Sequence, residues 1–338
     1  MTPEFEAILL PNADRIEAVA RLTPHTPFNT PAYAAARAML GEKPCVLTLA
    51  VGTTLVAGCV GYLREGKFSR SVEIMTAPRL DHPGVFWDGV RSFCRQQGVW
   101  ELFIESFAAD GVEIPPLPGE LSRRRRFEFV MNLADSDPVP LMSENHRRNI
   151  IRARRAGLRV RRTREPQAAQ AHVRVMQASM ERRRLRGESV SMPGGTLPFE
   201  ALLISEAAEL FQATLEEQVL SSMLILRSEG GAYYQSAGTA SEGMTNGASH
   251  FLIAEVATIL QEEGVGVFNL GGAGSGVQGL LRFKTGFGGE IVALEAASFS
   301  MMPPVPRQLR AAAGLIRCSP GQLWKVFSGG SSLHPRDR

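Results

Sequence analysis

Three consecutive stretches decide the fold of this chain: residues 231–240, "GAYYQSAGTA"; residues 248–264, "ASHFLIAEVATILQEEG"; and residues 265–270, "VGVFNL". The first and third are short runs of apolar, aromatic and β-branched residues, as strands require. The second carries apolar residues at helical spacing and ends on Gly264, a natural helix stop. Strand, helix, strand is therefore the plan, and it runs on into "LLRFKTGFGGE" at 280–290.

Upstream lies "ADSDPVPLMSENHRRNIIRARRAGLRVRRTREP", residues 134–166. Asp135, Asp137, Pro138 and Pro140 suit a linker, and Ser143 suits the N-cap of a helix running to Gly157. A domain boundary is placed near residue 140. After it the sequence predicts a strand "LRVRRT", a helix from Gln167 to Arg184, a second helix through "FEALLISEAAELF", and strands "SSMLILRSE" and "GAYYQSAGTA". The first third reads similarly, with a hairpin of "CVLTLAV" and "TLVAGCVGYL" around Gly52, one clear helix ending at Gly98, and strands "VWELFIESF" and "FEFVMNLA". The expected class is α/β (α+β): two tandem units with mixed central sheets flanked by helices, over 1–140 and 141–300. Residues 301–338 are expected to pack back on the first unit and to end in a disordered tail.

Composition sets the frame. At 338 residues with 44% hydrophobic content, the chain can bury two cores, and its net charge of +3 is small but unevenly placed. Cys45, Cys59, Cys94 and Cys318 follow no metal-ligand or C-x-x-C spacing and read as thiols of a reducing compartment. The N-terminal segment is too acidic for a secretory signal, and no run is long enough to span a membrane, so a cytoplasmic protein is expected.

Positive charge is written almost wholly as arginine; the lysines are Lys43, Lys67, Lys284 and Lys325. From Arg147 to Arg164 nine arginines occur without an acid, a density that attracts polyanions and suits RNA or phosphate. The ordinary alternative is a solvated face balanced by acids from elsewhere. A second cluster, "MERRRLRG", places Arg182, Arg183, Arg184 and Arg186 at a helix end, where the dipole favours cations in any case.

Gly274, Gly276 and Gly279 spell G-x-G-x-x-G, but the acidic residue expected about 20 positions on is replaced by Arg282, Lys284 and further glycines. Neither a phosphate loop nor a G-x-S-x-G element occurs, and the six histidines are scattered, which disfavours covalent catalysis. His250, at a helix start, is read as structural. Lys284, between Phe283 and Phe287, is by itself better read as a lysine snorkelling from a turn between two core phenylalanines.

The tyrosine-bearing strand (Tyr233, Tyr234), the helix, the N-L-G-G element (Asn269 to Gly272) and the F-K-x-x-F-G element (Phe283 to Gly288), in this order, resemble the Fem family of aminoacyl-tRNA-dependent transferases within the GNAT-like acyltransferase superfamily. The likeness extends to "NHRRNIIRARRAGLRV" and "TPFNTPAYAAAR" but is strongest from 230 to 290. It implies two GNAT-like domains, the second carrying the transfer site, and an aminoacyl-tRNA donor with no separate cofactor or metal. Lys284 matches the family's catalytic-site lysine and Phe283 its neighbour. Arg183 and Arg37 fall near basic residues that bind acceptor phosphate, while Tyr234, Ser236, Asn269, Gly271 and Gly272 fall within the substrate-binding elements. Arg147, Arg148, Arg152, Arg154, Arg155 and Arg162 become candidates for holding tRNA. The inserted coiled-coil arm of longer Fem enzymes is absent, and Ser236 stands where some relatives have a second tyrosine.

The chemistry implied is transfer of a carried amino acid to an amine of a peptidoglycan precursor or a small, possibly phosphate-containing, metabolite. An ester already activated needs placement and oxyanion stabilisation, which a lysine ammonium in a dry site supplies. No general base is selected by sequence. A GNAT transferase using acyl-CoA in polysaccharide, lipid or natural-product assembly is the alternative, although no good match to a Q/R-x-x-G-x-G/A loop at a helix start is found. An RNA-binding module with a vestigial site is a third reading. A monomer is expected.

Overall fold

The computed structural model describes residues 2–67, 69–109, 111–134, 137–188, 190–273 and 278–302. The described residues separate into two compact units, 2–126 with 293–302, and Phe127–Val292. The passage from one to the other occurs within a strand, whereas the sequence places the boundary in the linker near residue 140. The expectations for 303–338, Cys318 included, lie outside the described residues, as does Asp135 of the linker.

The first unit is built from β1 (Pro3–Leu9), α1 (Ala13–Leu22), α2 (Pro31–Met39), β2 (Lys43–Val51), β3 (Thr54–Glu65), β4 (Arg70–Ile74), α3 (Pro83–Gln96), β5 (Glu101–Glu105) and the start of β6 (Glu120–Asn132). Its strands follow the order β1-β2-β3-β4-β5 and end on β12 (Glu290–Ser300). All neighbours are antiparallel except β4 and β5, which run parallel with α3 as their crossover. Phe86, Trp87 and Val90 of α3 pack into a core with Leu47, Leu102 and Ile104. Helices α1 and α2 are additions to the one helix the sequence predicts in this unit. The first, capped by Asn12, buries only Ile16 and Val19, and the second owes its form to Thr30 as cap, Pro31 at the first turn and a run of alanines.

The second unit continues with α4 (Pro138–Leu141), α5 (Glu144–Arg155), β7 (Arg159–Thr163), α6 (Ala168–Leu185), α7 (Leu197–Ile204), β8 (Ala208–Leu215), β9 (Gln218–Arg227), β10 (Gly231–Thr239), α8 (Ser241–Thr245), α9 (Ala248–Glu262), β11 (Val267–Ala273) and α10 (Gln278–Thr285). Its strand order is β6-β11-β10-β9-β8-β7. Only β10 and β11 are parallel, and α9 is their crossover. Helices α5 and α9 share one core with the sheet, in which Ile150, Phe251, Val256, Met223, Phe268 and Leu270 are all buried. Each such side chain contributes roughly 1.5–3 kcal/mol. Helix α6 packs instead across β9 and β10.

Two segments differ from the sequence reading. "FEALLISEAAELF" is not one helix: α7 ends at its cap Ser205, Glu206 takes φ 61, and the remainder enters β8, buried almost throughout. A strand covered on both faces loses the alternation that distinguishes it from a helix. The lysine segment, read as a turn, is helical as α10.

Candidate active site

The parallel pair β10 and β11 stays together only over Gly231–Tyr233 against Val267–Asn269. Beyond that level β10 continues along β9, with a register shift between Tyr234 and Ser236, and β11 continues along β6, with a shift between Asn269 and Gly272. The strands therefore part, and the opening collects polar side chains in the middle of an apolar unit.

Lys284 reaches this opening from α10. It is 6% exposed, and its Nζ donates to the carbonyls of Leu270 at 2.6 Å and Gly272 at 2.7 Å. The ammonium lies 5.3 Å from the centre of the Tyr234 ring. Burial pushes the Tyr234 phenol well up. The side chain of Asn269 folds back so that its Oδ1 accepts from the Gly271 N–H at 2.7 Å. Gly271 has φ +70°, and a Cβ placed on it would stand 3.1 Å from the Tyr234 carbonyl and 3.6 Å from both Lys284 Nζ and the Tyr233 hydroxyl. The missing methyl leaves a small polar cradle between ammonium and phenol.

One member was not foreseen from sequence. Glu128 of β6, 1% exposed, accepts from the Tyr233 hydroxyl at 2.6 Å and from Asn269 Nδ2 at 2.7 Å. Its signal was an acid flanked by Phe127 and Phe129 in a strand otherwise read only for its apolar residues.

The other expected residues lie elsewhere. Phe283 stacks edge-on against Phe287 at 5.1 Å and His250 at 5.0 Å, within the helix-covered core rather than against the ammonium. Ser236 is buried on the α6 side, its Oγ 2.9 Å from His172 Nε2, while His172 Nδ1 meets Ser222 Oγ at 2.9 Å. Burial brings the His172 pKa down to about 3, so the ring is neutral at pH 7. Arg37, in the first unit, is spent on Glu42 at 2.5 Å and Glu73 at 2.6 Å and lies over the Tyr62 ring. That guanidinium is buried and paired, an arrangement of a structural arginine rather than of a phosphate ligand.

Arg183 binds Glu188 at 2.7 Å, yet its Nη2 and the Nη1 of Arg182 are buried without a hydrogen-bond partner among the described residues. Arg182 also donates to the Thr239 carbonyl at the end of β10. In the arginine run, Arg154 donates through Nε and Nη2 to one oxygen of Glu255 at 3.1 and 2.7 Å, Arg162 holds Glu209 and Glu263, and Arg148 lies 3.8 Å from Glu144. Arg147 and Arg152 donate to backbone carbonyls, and Arg155 is exposed with no ion pair among the described residues. Much of the run is thus balanced by acids from other elements.

A shallow pocket of about 460 Å³ lies beside α5 and α10, lined by Ser143, Asn145, His146 and Arg282 among others. It includes neither Lys284 nor Tyr234, so the strand opening is the better candidate. Among the described residues no group of three or more His, Cys, Asp or Glu side chains could hold a metal, and no helix is long and apolar enough to cross a membrane.

Residues 142–285 match the profile of the acetyltransferase (GNAT) domain. No curated protein matches the chain in sequence. Among solved structures it resembles FemX with a TM-score of 0.66 at 12% identity, over 86% of this chain and 96% of the other. A tandem GNAT protein from the clavulanic acid biosynthesis pathway aligns with a TM-score of 0.52 at 12% identity, over 90% of this chain and all (100%) of the other. The L-PGS of Bacillus licheniformis aligns with a TM-score of 0.50 at 14% identity, over 90% and 97%. At such identities these neighbours speak for the fold. Residues 142–285 thus carry a GNAT-type acetyltransferase domain that contains the strand opening, and the fold of the chain resembles those of FemX and a tandem GNAT protein.

Proposed function

We propose that the chain is an aminoacyl-tRNA-dependent transferase that forms an amide bond between the carried amino acid and an amine of a peptidoglycan precursor or small metabolite. The observation that carries this reading is the buried Lys284 ammonium at the strand opening, beside Gly271, where a side chain would crowd the Tyr234 carbonyl, the ammonium and the Tyr233 hydroxyl. A carbonyl oxygen seated there would gain negative charge as the amine attacks the ester. A point charge in a water-poor cleft stabilises it far better than solvent would. The ester is activated beforehand, so the protein's task is placement, and no nucleophile of its own is required. Glu128, through Tyr233, holds the phenol in place and supplies a nearby carboxylate for the proton the amine must lose. The unpartnered guanidinium nitrogens of Arg182 and Arg183 suit a phosphate-bearing substrate, and Arg155 suits the tRNA backbone. The Fem resemblance and the FemX and L-PGS neighbours support the tRNA donor.

A second reading is favoured by one observation, the GNAT acetyltransferase profile over 142–285: acyl-CoA would replace charged tRNA as donor, and AcCoA is named with the tandem GNAT neighbour. The test is to incubate the protein with candidate amines and either labelled charged tRNA or labelled acetyl-CoA, with an RNase-treated control. Transfer from charged tRNA that RNase abolishes is the expected outcome. Transfer that survives RNase and requires acetyl-CoA selects the second reading, and RNA binding without turnover from either donor rejects both.

A further inference from the structure

Helix α10 is only eight residues long, and it must hold Lys284 in one place. A helix this short has little stability of its own, so its position depends on how its ends are fastened. The last four carbonyls of any helix lack intrahelical partners. In α10, those of Arg282, Lys284 and Thr285 accept from the backbone N–H groups of Gly286, Phe287 and Gly288 at 3.1, 3.2 and 3.1 Å. The fourth, Phe283, takes its donor from a different element: His146 Nε2 of α5 lies 2.8 Å from the Phe283 oxygen.

A carbonyl only accepts, so Nε2 carries the proton. The other ring nitrogen, Nδ1, lies 2.9 Å from Ser143 Oγ, and that same oxygen accepts the His146 backbone N–H at 3.3 Å as the N-cap of α5. The neutral ring thus accepts at Nδ1 and donates at Nε2, joining the start of α5 to the end of α10. Two further features fit the sequence to this contact. The Ser143 N–H donates to the Gly286 carbonyl at 2.8 Å. A Cβ on Gly286 would stand 2.3 Å from His146 Cε1, so the glycine after Thr285 is what lets the ring approach. Phe287 and His250 close the ring in at 4.5 and 4.6 Å between centres.

We propose that His146 is a positioning residue for Lys284: in its Nε2–H tautomer it completes the C-terminal cap of α10 and so holds the ammonium against Leu270 and Gly272. The importance of this contact for turnover rests on Lys284 being the transfer-site cation, but the contact itself can be tested without any substrate. With only four lysines in the chain, the acetylation rate of Lys284 by N-hydroxysuccinimidyl acetate can be read by peptide mass spectrometry, Lys43 serving as internal reference. His146→Phe keeps the ring and removes the donor; His146→Gln keeps an N–H within reach. Lys284 should be modified about tenfold faster in H146F and near the wild-type rate in H146Q, with Lys43 unchanged in both. An H146F rate equal to wild type overturns the proposal. With the donor that supports transfer, kcat should fall about tenfold in H146F at unchanged KM and recover in H146Q. Turnover retained in Lys284→Met would refute the role of Lys284 in transfer, and the labelling result would still decide whether His146 positions it. Should H146F not fold, histidine 15N chemical shifts in the wild-type protein remain decisive. A bare Nδ1 with a protonated Nε2 supports the proposal, and the opposite tautomer overturns it.

Discussion

Lys284 and Gly271 act as a pair at the scale of single residues: one brings a cation into the strand opening, the other leaves room beside it. Replacing Lys284 with Met keeps the length and removes the charge. Turnover should fall about 10²–10³-fold, the usual effect of deleting one preorganised oxyanion donor. The carbonyls of Leu270 and Gly272 lose a donor at the same time, so the melting temperature should fall too, by the equivalent of ~1–3 kcal/mol. Comparing kcat with the thermal midpoint separates the two losses, since destabilisation alone would leave the folded enzyme active. Gly271→Ala is the complementary change. The new methyl would occupy the space 3.6 Å from Nζ, on a backbone with φ +70° that costs a side chain about 1 kcal/mol. The variant should stay folded yet lose nearly all turnover; wild-type activity in folded Gly271→Ala protein would show that substrate does not use this space.

At the scale of elements, α5 and β7 carry an arginine run whose members do different things. Arg162 is held by Glu209, a carboxylate with no exposed side-chain area, and by Glu263, whereas Arg155 is exposed without an ion pair among the described residues. Arg155→Glu should weaken tRNA binding and flatten its salt dependence while leaving the melting temperature within about 1 °C. Arg162→Ala should do the reverse, costing on the order of 2 kcal/mol in stability. That is less than the ~3–5 kcal/mol of a fully buried pair, because Arg227 still holds Glu209 at 2.8 Å. Filter binding across a salt series, beside urea melts of both variants, checks the contrast. The same elements mark what was legible in the sequence. The helix from Ser143, the edge strand after Gly157 and the β10–α9–β11 plan follow from periodicity and caps that act within a few residues. Which arginines are neutralised does not, since Glu209 and Glu263 come to Arg162 from 47 and 101 residues away. Glu128 reaches Tyr233 across 105 residues, which is why the acid of the candidate site escaped a reading made along the chain. Lys284 stands out along the chain only because lysine is rare here and sits beside glycines that resemble a known element.

Across the whole molecule, the two units should respond differently to acid. His146, His172 and His250 all belong to the second unit, and burial lowers each pKa, to about 3 for His172 and about 4 for His250, where His146 and Arg152 add repulsion. Their ordinary value is 6.5, so between pH 6.5 and about 4.5 the unfolded chain binds protons that the folded unit refuses. Stability from these neutral rings is complete above pH 6.5 and drains away as pH falls, by on the order of a few kcal/mol in total. In the first unit the shifted group nearest this range is Glu105, whose pKa burial raises against the pull of Arg126 and Arg124. A raised carboxyl takes up its proton more readily when folded, so mild acid favours that unit. The carboxylates held low by arginine or lysine, among them Glu65 and Glu188, titrate below 4.5 and stay out of the window. Hydrogen exchange resolved by peptide should therefore show protection lost first within residues 137–292 as pH is taken from 7 to 5, with the sheet of the first unit still closed. Equal loss in both units, or earlier loss over β1–β5, would contradict the assignment of three neutral histidines, two buried and one half-buried, to the second unit. Replacing His172, the most deeply buried ring, with Gln should shift the onset of that loss to lower pH.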